Sequence, residues 1–246
     1  TSLALYLGSA LYLLQTWRAA REHGFLRARP SRATLRNILR ISLPNGVQQF
    51  FFATGLTVLF WIIGRVGADE VAVAHILITL ILFLILPAIG LGLSAASLVG
   101  QALGRRDADD AYRWGWDVTR LAVSLLFVLA LPMWLVPDLI LGLFLKQPAL
   151  VELGRAPLMI TGLAICLDGV AIIFTQALLG AGAARSVMVV TLAVQWFFFL
   201  PLAYIIGPVL GYGLLGIWLA QAFQRLITSL LLSGLWIKRG WAHIEL

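Results

Sequence analysis

The sequence has few charged residues and a single cysteine. Only 12% of its 246 residues are charged, about half the share of a soluble globular chain. The lone Cys166 excludes an internal disulfide and a cysteine-based metal cluster, and we interpret it as a small packing residue. No phosphate-binding Gly-Lys-Ser/Thr loop, metalloprotease motif or nucleophile elbow occurs. We therefore expect no enzymatic activity, no metal site and no cofactor.

Long apolar runs are what the sequence has in excess. Hydrophobic residues make up 61% of the chain and fall in blocks separated by short charged patches. This pattern is typical of helices that cross a hydrocarbon layer about 30 Å thick, and the strict alternation of a transmembrane barrel is absent. The predicted fold class is an all-α membrane protein. The apolar segments are about 1–17, 43–66, 70–98, 115–137, 154–180, 187–207 and 213–237.

The basic residues are placed as membrane orientation requires. The net charge is +7, but the arginines cluster in particular loops, so we expect no nucleic-acid partner. Short loops rich in Lys and Arg lie on the cytoplasmic side of a membrane. By this rule the loops at 18–42, 105–113 and 185 and the end at 238–239 are cytoplasmic, and the loops between them lie outside. The alternation holds at every loop, and it predicts a multi-pass protein of a bacterial inner membrane.

Four regions follow from these segments. Residues 1–17 are interpreted as the end of a helix that begins upstream, because the chain starts without Met in apolar sequence. Residues 18–42 form an Arg-rich cytoplasmic linker, either an amphipathic helix on the lipid surface or a solvated connector. Residues 43–240 form a bundle of six transmembrane helices, and residues 241–246 form a cytoplasmic tail.

Asp168 is the sharpest functional candidate. It lies near the middle of the fifth segment, and an ionisable group at that depth usually faces a cavity or a partner. We expect it to exchange the coupling cation, with an ion pair of purely structural role as the alternative. Thr175 and Gln176 follow seven and eight residues later and share its helix face.

Arg225 is the candidate partner of Asp168. It lies at a similar depth in the last segment, on a face with Gln221 and Thr228. The hypothesis that the two side chains pair rests only on their matched depth, and a structure that places them well apart would contradict it.

The second segment carries amides beside aromatic rings. Gln48 and Gln49 precede the run Phe50–Phe52. Such residues line pockets for flat organic cations through stacking and cation–π attraction, or they join helices by hydrogen bonds. We take Gln48, Gln49, Phe52, Thr175, Gln176 and Arg225 as the candidate substrate-binding residues.

Three prolines lie inside apolar segments. Pro87, Pro132 and Pro201 are each predicted to break or kink a helix, because proline removes a backbone hydrogen bond. In transporters such interruptions often flank the binding site or a hinge.

Three stretches resemble the second half of a known family. They are Val99-Gly100-Gln101-Ala102-Leu103-Gly104, Gln176-Ala177-Leu178-Leu179-Gly180-Ala181-Gly182, and Gly213-Leu214-Leu215-Gly216-Ile217-Trp218. In this order on these spans they resemble the multidrug and toxic compound extrusion (MATE) family, and the resemblance covers nearly all of the chain. It implies the C-terminal six-helix lobe of a twelve-helix transporter, with the N-terminal half of the same chain as its partner.

The resemblance also implies a function. Members of the family export organic cations, drugs or metabolites in exchange for H⁺ or Na⁺ by alternating access. Asp168 matches an acidic residue that one branch has in this helix, whereas Phe52 stands where that branch has Glu. The loss of this ligand favours H⁺ over Na⁺. Two alternatives are a lipid-linked oligosaccharide flippase of the same superfamily and a membrane scaffold subunit without transport activity.

Overall fold

The computed structural model describes residues 32–243, and this part of the chain is helical apart from short connecting turns. We number the helices α1 to α8 in chain order. Two π-helical stretches interrupt the sixth apolar segment on either side of α7, and a 3-10 turn, Gly240–His243, follows α8. The helices are α1 Arg32–Gly64, α2 Ala68–Gly104, α3 Ala108–Leu135, α4 Pro137–Gly142, α5 Pro148–Gly180, α6 Ala184–Ala193, α7 Leu200–Tyr204 and α8 Gly213–Ile237.

Six of these stretches are long and apolar enough to cross a membrane, and they confirm the predicted spans of the bundle. They run over Gly46–Gly64, Ala68–Gly104, Ala108–Leu135, Pro148–Gly180, Ala184–Val209 and Gly213–Ile237. Several helices extend beyond the apolar segments seen in the sequence. For example, α5 starts at Pro148, six residues before the predicted segment, because helical backbone continues past the hydrocarbon boundary with proline at its first turn.

The chain divides into two units, Thr1–Leu43 and Pro44–Leu246. The first unit is described only over residues 32–43, where the backbone is helical. The predicted helix end at 1–17 and most of the predicted linker lie outside the described residues. Residues 32–42 of the linker are helical, and the choice between an amphipathic surface helix and a solvated connector stays a prediction. The second unit is the six-helix bundle.

Helix α5 is the centre of the bundle, because it packs against α2, α3 and α8. The closest crossing joins Gly180 to α2. A Cβ atom on Gly180 would lie 2.4 Å from the backbone oxygen of Ala96. Small residues therefore let the two backbones touch, which is how helices associate tightly in lipid.

Only one of the three prolines lies next to a change of helix type. Helix α2 runs without interruption through Pro87, and Pro132 lies three residues before the end of α3, so neither proline breaks its helix. A kink at either proline stays a prediction. Pro201 differs, because it follows the π-helical stretch Val194–Phe199. The wider π turn relieves the clash between a proline ring and the carbonyl of the preceding turn.

The two ends of the bundle are separate apolar clusters. One end gathers the α2–α3 loop, the α5–α6 loop and the end of α8, and there Arg239 contacts Asp109 at 2.5 Å. The guanidinium of Arg239 also lies 4.2 Å from the ring centre of Tyr112. The opposite end gathers the α1–α2 and π–α8 loops around Leu141 and Leu214. Within the second unit, the loops that the charge rule assigns to one side therefore share one end.

Candidate functional site

A cavity of about 500 Å³ opens among α1, α2, α5, α6 and α8. All seven residues predicted for cation coupling and substrate binding line it. Their roles stay predictions, but the structure brings them to one place from helices far apart in sequence. These residues are Gln48, Gln49, Phe52, Asp168, Thr175, Gln176 and Arg225.

The charged side chains among the described lining residues, Asp168 and Arg225, form one ion pair. The guanidinium of Arg225 donates a hydrogen bond from one Nη to the Oδ2 of Asp168, so the hypothesis of pairing agrees with the structure. The side chain of Arg225 is 11% exposed and that of Asp168 is 19% exposed. Among the lining residues that the structure describes, no other side chain carries a formal charge. The charges of the described lining therefore balance, with a strong local dipole at the ion pair.

Amides and hydroxyls supply the rest of the polar lining. Six glutamines and three threonines face the cavity. Each amide offers both donors and acceptors, so the lining binds hydrogen-bonding groups of either polarity. Gln195, Gln224 and Thr191 were not predicted as site residues. Gln224 could have been predicted from the sequence because it lies next to Arg225. Gln195 and Thr191 line the cavity because of how the sixth segment packs in the bundle.

Two of the amides lie directly on glycines of neighbouring helices. A Cβ atom on Gly55 would lie 2.0 Å from the Nε2 of Gln195, and one on Gly92 would lie 2.8 Å from the Cγ of Gln176. Glycine at these positions lets each amide side chain lie across the facing helix. The backbone around Gln195 is π-helical, and such turns occur frequently at functional sites.

Phe52 contributes an apolar surface in place of a carboxylate. Its side chain is 54% exposed and lines the cavity. The neighbouring Phe51 packs edge-on against Trp196, with ring centres 5.5 Å apart. The aromatic run thus joins α1 to the sixth segment and presents one ring toward the cavity.

Within residues 32–243, no group of three or more His, Cys, Asp or Glu side chains is close enough to hold a metal ion. What the arrangement offers chemically is one carboxylate, one guanidinium that already contacts it, and a set of neutral hydrogen-bonding groups. It can bind and exchange ions or ligands, but it carries no nucleophile–base pair.

Comparison with known proteins places these features in a family. The model of the MatE family matches residues 44–205. The chain is 28% identical over 221 residues to a probable multidrug resistance protein NorM of Thermotoga maritima. The aligned region covers 86% of this chain and 47% of that protein. It is also 28% identical over its full length to a NorM protein of Brucella suis, of which it covers 53%.

Solved structures show the same fold. An outward-facing multidrug resistance MATE family transporter of the MOP superfamily superposes with a TM-score of 0.85 at 19% identity. The match covers 96% of this chain and 54% of that one. The chain therefore spans about half the length of the curated relatives and solved structures that it matches.

Proposed function

Because the chain belongs to the MatE family, whose members are transporters rather than enzymes, we propose that it forms half of a drug exporter. The exported compounds are organic cations, drugs or metabolites, and transport proceeds by alternating access in exchange for a cation. The observation that carries this proposal is the cavity of about 500 Å³, in which Asp168 and Arg225 meet six glutamines and Phe52. A cavity of this size is that of a small-molecule site.

Asp168 is the residue proposed to exchange the coupling ion, and H⁺ is favoured over Na⁺. A bound Na⁺ needs several oxygen ligands at once, whereas a proton needs one carboxylate oxygen. Asp168 is the only carboxylate among the described lining residues, and Arg225 already contacts one of its oxygens. Phe52, at the position where one branch of the family has Glu, offers none.

The protein is a multi-pass membrane protein with six spans in the described part. We place it in a bacterial inner membrane, a proposal supported by the loop charges and by the bacterial relatives. The other lobe of the transporter is the proposed partner of this one, since the chain spans about half of its relatives. Alternating access then opens the cavity to either side of the bilayer.

The alternative of a lipid-linked oligosaccharide flippase is less well supported. A phosphate-bearing cargo calls for several free basic groups, and among the described lining residues Arg225 is the only base and is already paired. A scaffold subunit does not require charged residues such as Asp168 and Arg225 at membrane depth, where an ionisable group lowers stability.

The test uses the full-length protein that carries this chain, reconstituted in vesicles. A fluorescent organic cation is loaded inside, and efflux is followed after a pH gradient or a Na⁺ gradient is imposed separately. We expect efflux with the pH gradient only. The variant D168N is expected to abolish it, because an amide exchanges no proton at neutral pH.

The matched control is Asp138→Asn. Asp138 is an exposed acid at a bundle end, 3.6 Å from Arg155 and outside the cavity. Its replacement is expected to leave efflux unchanged. Gradient-driven efflux that survives Asp168→Asn would show that the coupling ion is exchanged elsewhere, and efflux driven by Na⁺ alone would reverse the choice of ion.

A further inference from the structure

Helix α3 presents an exposed face on the side of the bundle away from the cavity. It packs against α2 and α5, and none of its residues lines the cavity. Its buried stripe consists largely of small residues such as Ala111, Gly115 and Ala122. Because α3 spans the membrane, the opposite stripe is the one that lipid meets.

Charged side chains occupy this exposed stripe at a depth where lipid-facing charges are costly. Arg113, Asp117 and Arg120 are spaced by four and three residues, so they share one face of α3. The side chains of Arg120 and Asp117 are 76% and 59% exposed. Arg120 lies about 18 Å along the axis from the first residue, Ala108, and inside the apolar segment that begins near 115. An arginine in this position needs an anion within its reach.

We propose that the α3 surface formed by Arg113, Trp114, Asp117 and Arg120 binds the headgroup of an anionic phospholipid. The phosphate lies at the two arginines, and the acyl chains follow α3 into the membrane. The surface is separate from the cavity, so the lipid site does not depend on the proposed export function.

The direction of α3 brings both arginines toward one headgroup level. Side chains of an α-helix tilt toward its N-terminus, and α3 begins at the bundle end that holds the charged loops. Arg113 and Arg120 are about 10 Å apart along the helix axis. The long side chain of Arg120 therefore extends toward the headgroups, while Arg113 already lies at their level.

Trp114 marks the level of the headgroups. Its side chain is 36% exposed, and its indole N–H donates to the carboxylate of Asp110 at 3.3 Å. Tryptophan is enriched at membrane–water interfaces, where its polar edge meets the headgroups and its ring meets the acyl chains. The residue before it, Arg113, is therefore placed to meet a lipid phosphate.

The charges of the α3 surface leave a positive excess. One Nη of Arg120 contacts Asp117 at 3.2 Å, and the other N–H groups of this guanidinium can bind a second anion. No described carboxylate lies within ion-pair distance of Arg113. The acids at the start of α3 contact other groups: Asp107 accepts the backbone N–H of Asp110, Asp110 pairs with Arg105, and Asp109 pairs with Arg239.

This excess favours an anionic over a zwitterionic phospholipid. A guanidinium binds a phosphate by two parallel hydrogen bonds, whatever the rest of the headgroup. The ammonium group of a zwitterionic lipid would need an acid on the surface, and Asp117 is already paired with Arg120. An anionic phospholipid brings no such group.

Below the arginines the exposed face of α3 is apolar. Leu121, Leu125, Phe127 and Val128 are each at least 37% exposed. An acyl chain that follows these residues is joined to a phosphate at the arginines, as in a single phospholipid molecule. A free phosphate ion would use only the upper part of the surface, so the occupant that matches the whole surface is a lipid.

Native mass spectrometry of the full-length protein in detergent counts the bound lipids. Phosphatidylglycerol and phosphatidylcholine with identical acyl chains are added in equal amounts. We expect the wild-type protein to retain phosphatidylglycerol at least about fivefold more strongly, because each arginine near a membrane surface contributes about that factor toward an anionic lipid. Equal retention of the two lipids would overturn the proposal.

Variants of the α3 surface locate the bound lipid. Arg113→Gln combined with Arg120→Gln should lower the affinity for phosphatidylglycerol about twentyfold, and each single variant about fivefold. Asp117→Asn should raise it, because a competing carboxylate is lost. The matched control is Arg185→Gln combined with Lys238→Gln, which removes the same charge from exposed side chains of α6 and the end of α8. This control should leave the affinity unchanged.

Two outcomes with the variants would also overturn the lipid site. A preference for phosphatidylglycerol that survives the loss of both arginines would place the lipid elsewhere on the protein. An equal loss in the control would show that only the total charge of this bundle end attracts the lipid. Thermal unfolding without added lipid shows whether each variant folds, and the single variants replace the double variant if it does not. Efflux is measured separately, so failure of the lipid site leaves the export function standing.

Discussion

Asp168 and Arg225, 57 residues apart in the chain, form an ion pair between α5 and α8. The pair lines the cavity and crosses one of the main helix contacts of the bundle. It therefore combines two roles that mutation can separate: it joins two helices, and it sets the charge that a ligand meets.

The structural role predicts non-additive losses of stability. We expect Asp168→Asn and Arg225→Gln each to lower the free energy of unfolding in detergent by about 1–3 kcal/mol, less than for a fully buried pair because the cavity admits solvent. The double variant should lose less than the sum, since neither group remains unpaired. Thermal unfolding of the four proteins measures this coupling, and additive losses would show that the two groups do not interact.

The contact of α5 with α2 at Gly180 predicts a second effect. Gly180→Ala places a methyl group 2.4 Å from the Ala96 oxygen, so the helices must separate, at a cost of about 1–3 kcal/mol. The control is Gly234→Ala on α8, where a Cβ meets nothing within 4 Å and helix propensity favours alanine. Unfolding in detergent compares the two, and equal stabilities would contradict the close approach.

The contact of Gly55 with Gln195 predicts that Gly55→Ala is destabilising and that Gln195→Ala removes this loss of stability. Gly55→Ala puts its Cβ 2.0 Å from the Gln195 amide, so this side chain must move within the cavity. We expect weaker ligand binding and a loss of stability of about 1 kcal/mol. In a Gln195→Ala background the same substitution should cost nothing in stability, because the clash is gone. If it cost as much there, the contact would not be the cause.

A buried hydrogen bond between α5 and α8 gives the fourth prediction. The indole of Trp218 donates to the hydroxyl of Thr161 at 3.0 Å, and that hydroxyl donates to the Pro157 carbonyl. Trp218→Phe should lower the free energy of unfolding by about 2 kcal/mol, from a lost interhelical hydrogen bond and lost ring volume. Thr161→Val removes the hydroxyl alone, and we expect it to cost about 1 kcal/mol. A larger loss for the valine variant would show that the hydrogen bonds matter more than the indole.

Orientation in the membrane is tested by labelling. In a background without other reactive cysteines and with Cys166→Ala, an impermeant maleimide should label Tyr212→Cys in intact cells. It should label Arg106→Cys only after the cells are permeabilised, because Arg106 lies at the end that the loop charges assign to the cytoplasm. Both positions are exposed. The reverse labelling pattern would show that the two ends of the bundle have been assigned to the wrong sides of the membrane.

The number and order of the membrane helices could be predicted from the sequence because both depend on local properties. Hydropathy fixes which stretches enter lipid, and the loop charges divide the turns into two sets that share two ends in the structure. Helix boundaries and proline effects were less well predicted. Whether Pro87 breaks α2 depends on how its neighbours restore the hydrogen bonding, and this is not encoded in the proline itself.

The candidate site was predicted only in part, for the same physical reason. A charge or an amide at membrane depth stands out in the sequence because it is costly there, and so Asp168, Arg225 and Gln176 were identified. Gln195 and Thr191 gave no comparable signal, since the sixth segment holds no charged residue whose helix face they could share. Only the packing of the sixth segment against Gly55 brings them to the cavity.

The sequence by itself thus determined that the chain is a set of membrane helices and which ionisable residues lie deep within them. The tertiary structure decided that Asp168 and Arg225 touch, because contact between helices depends on side-chain shapes along their whole length rather than on depth alone. It also decided that the charges of the described cavity lining balance, since the two opposite charges meet there. The contact between these two side chains has no local signature in the chain.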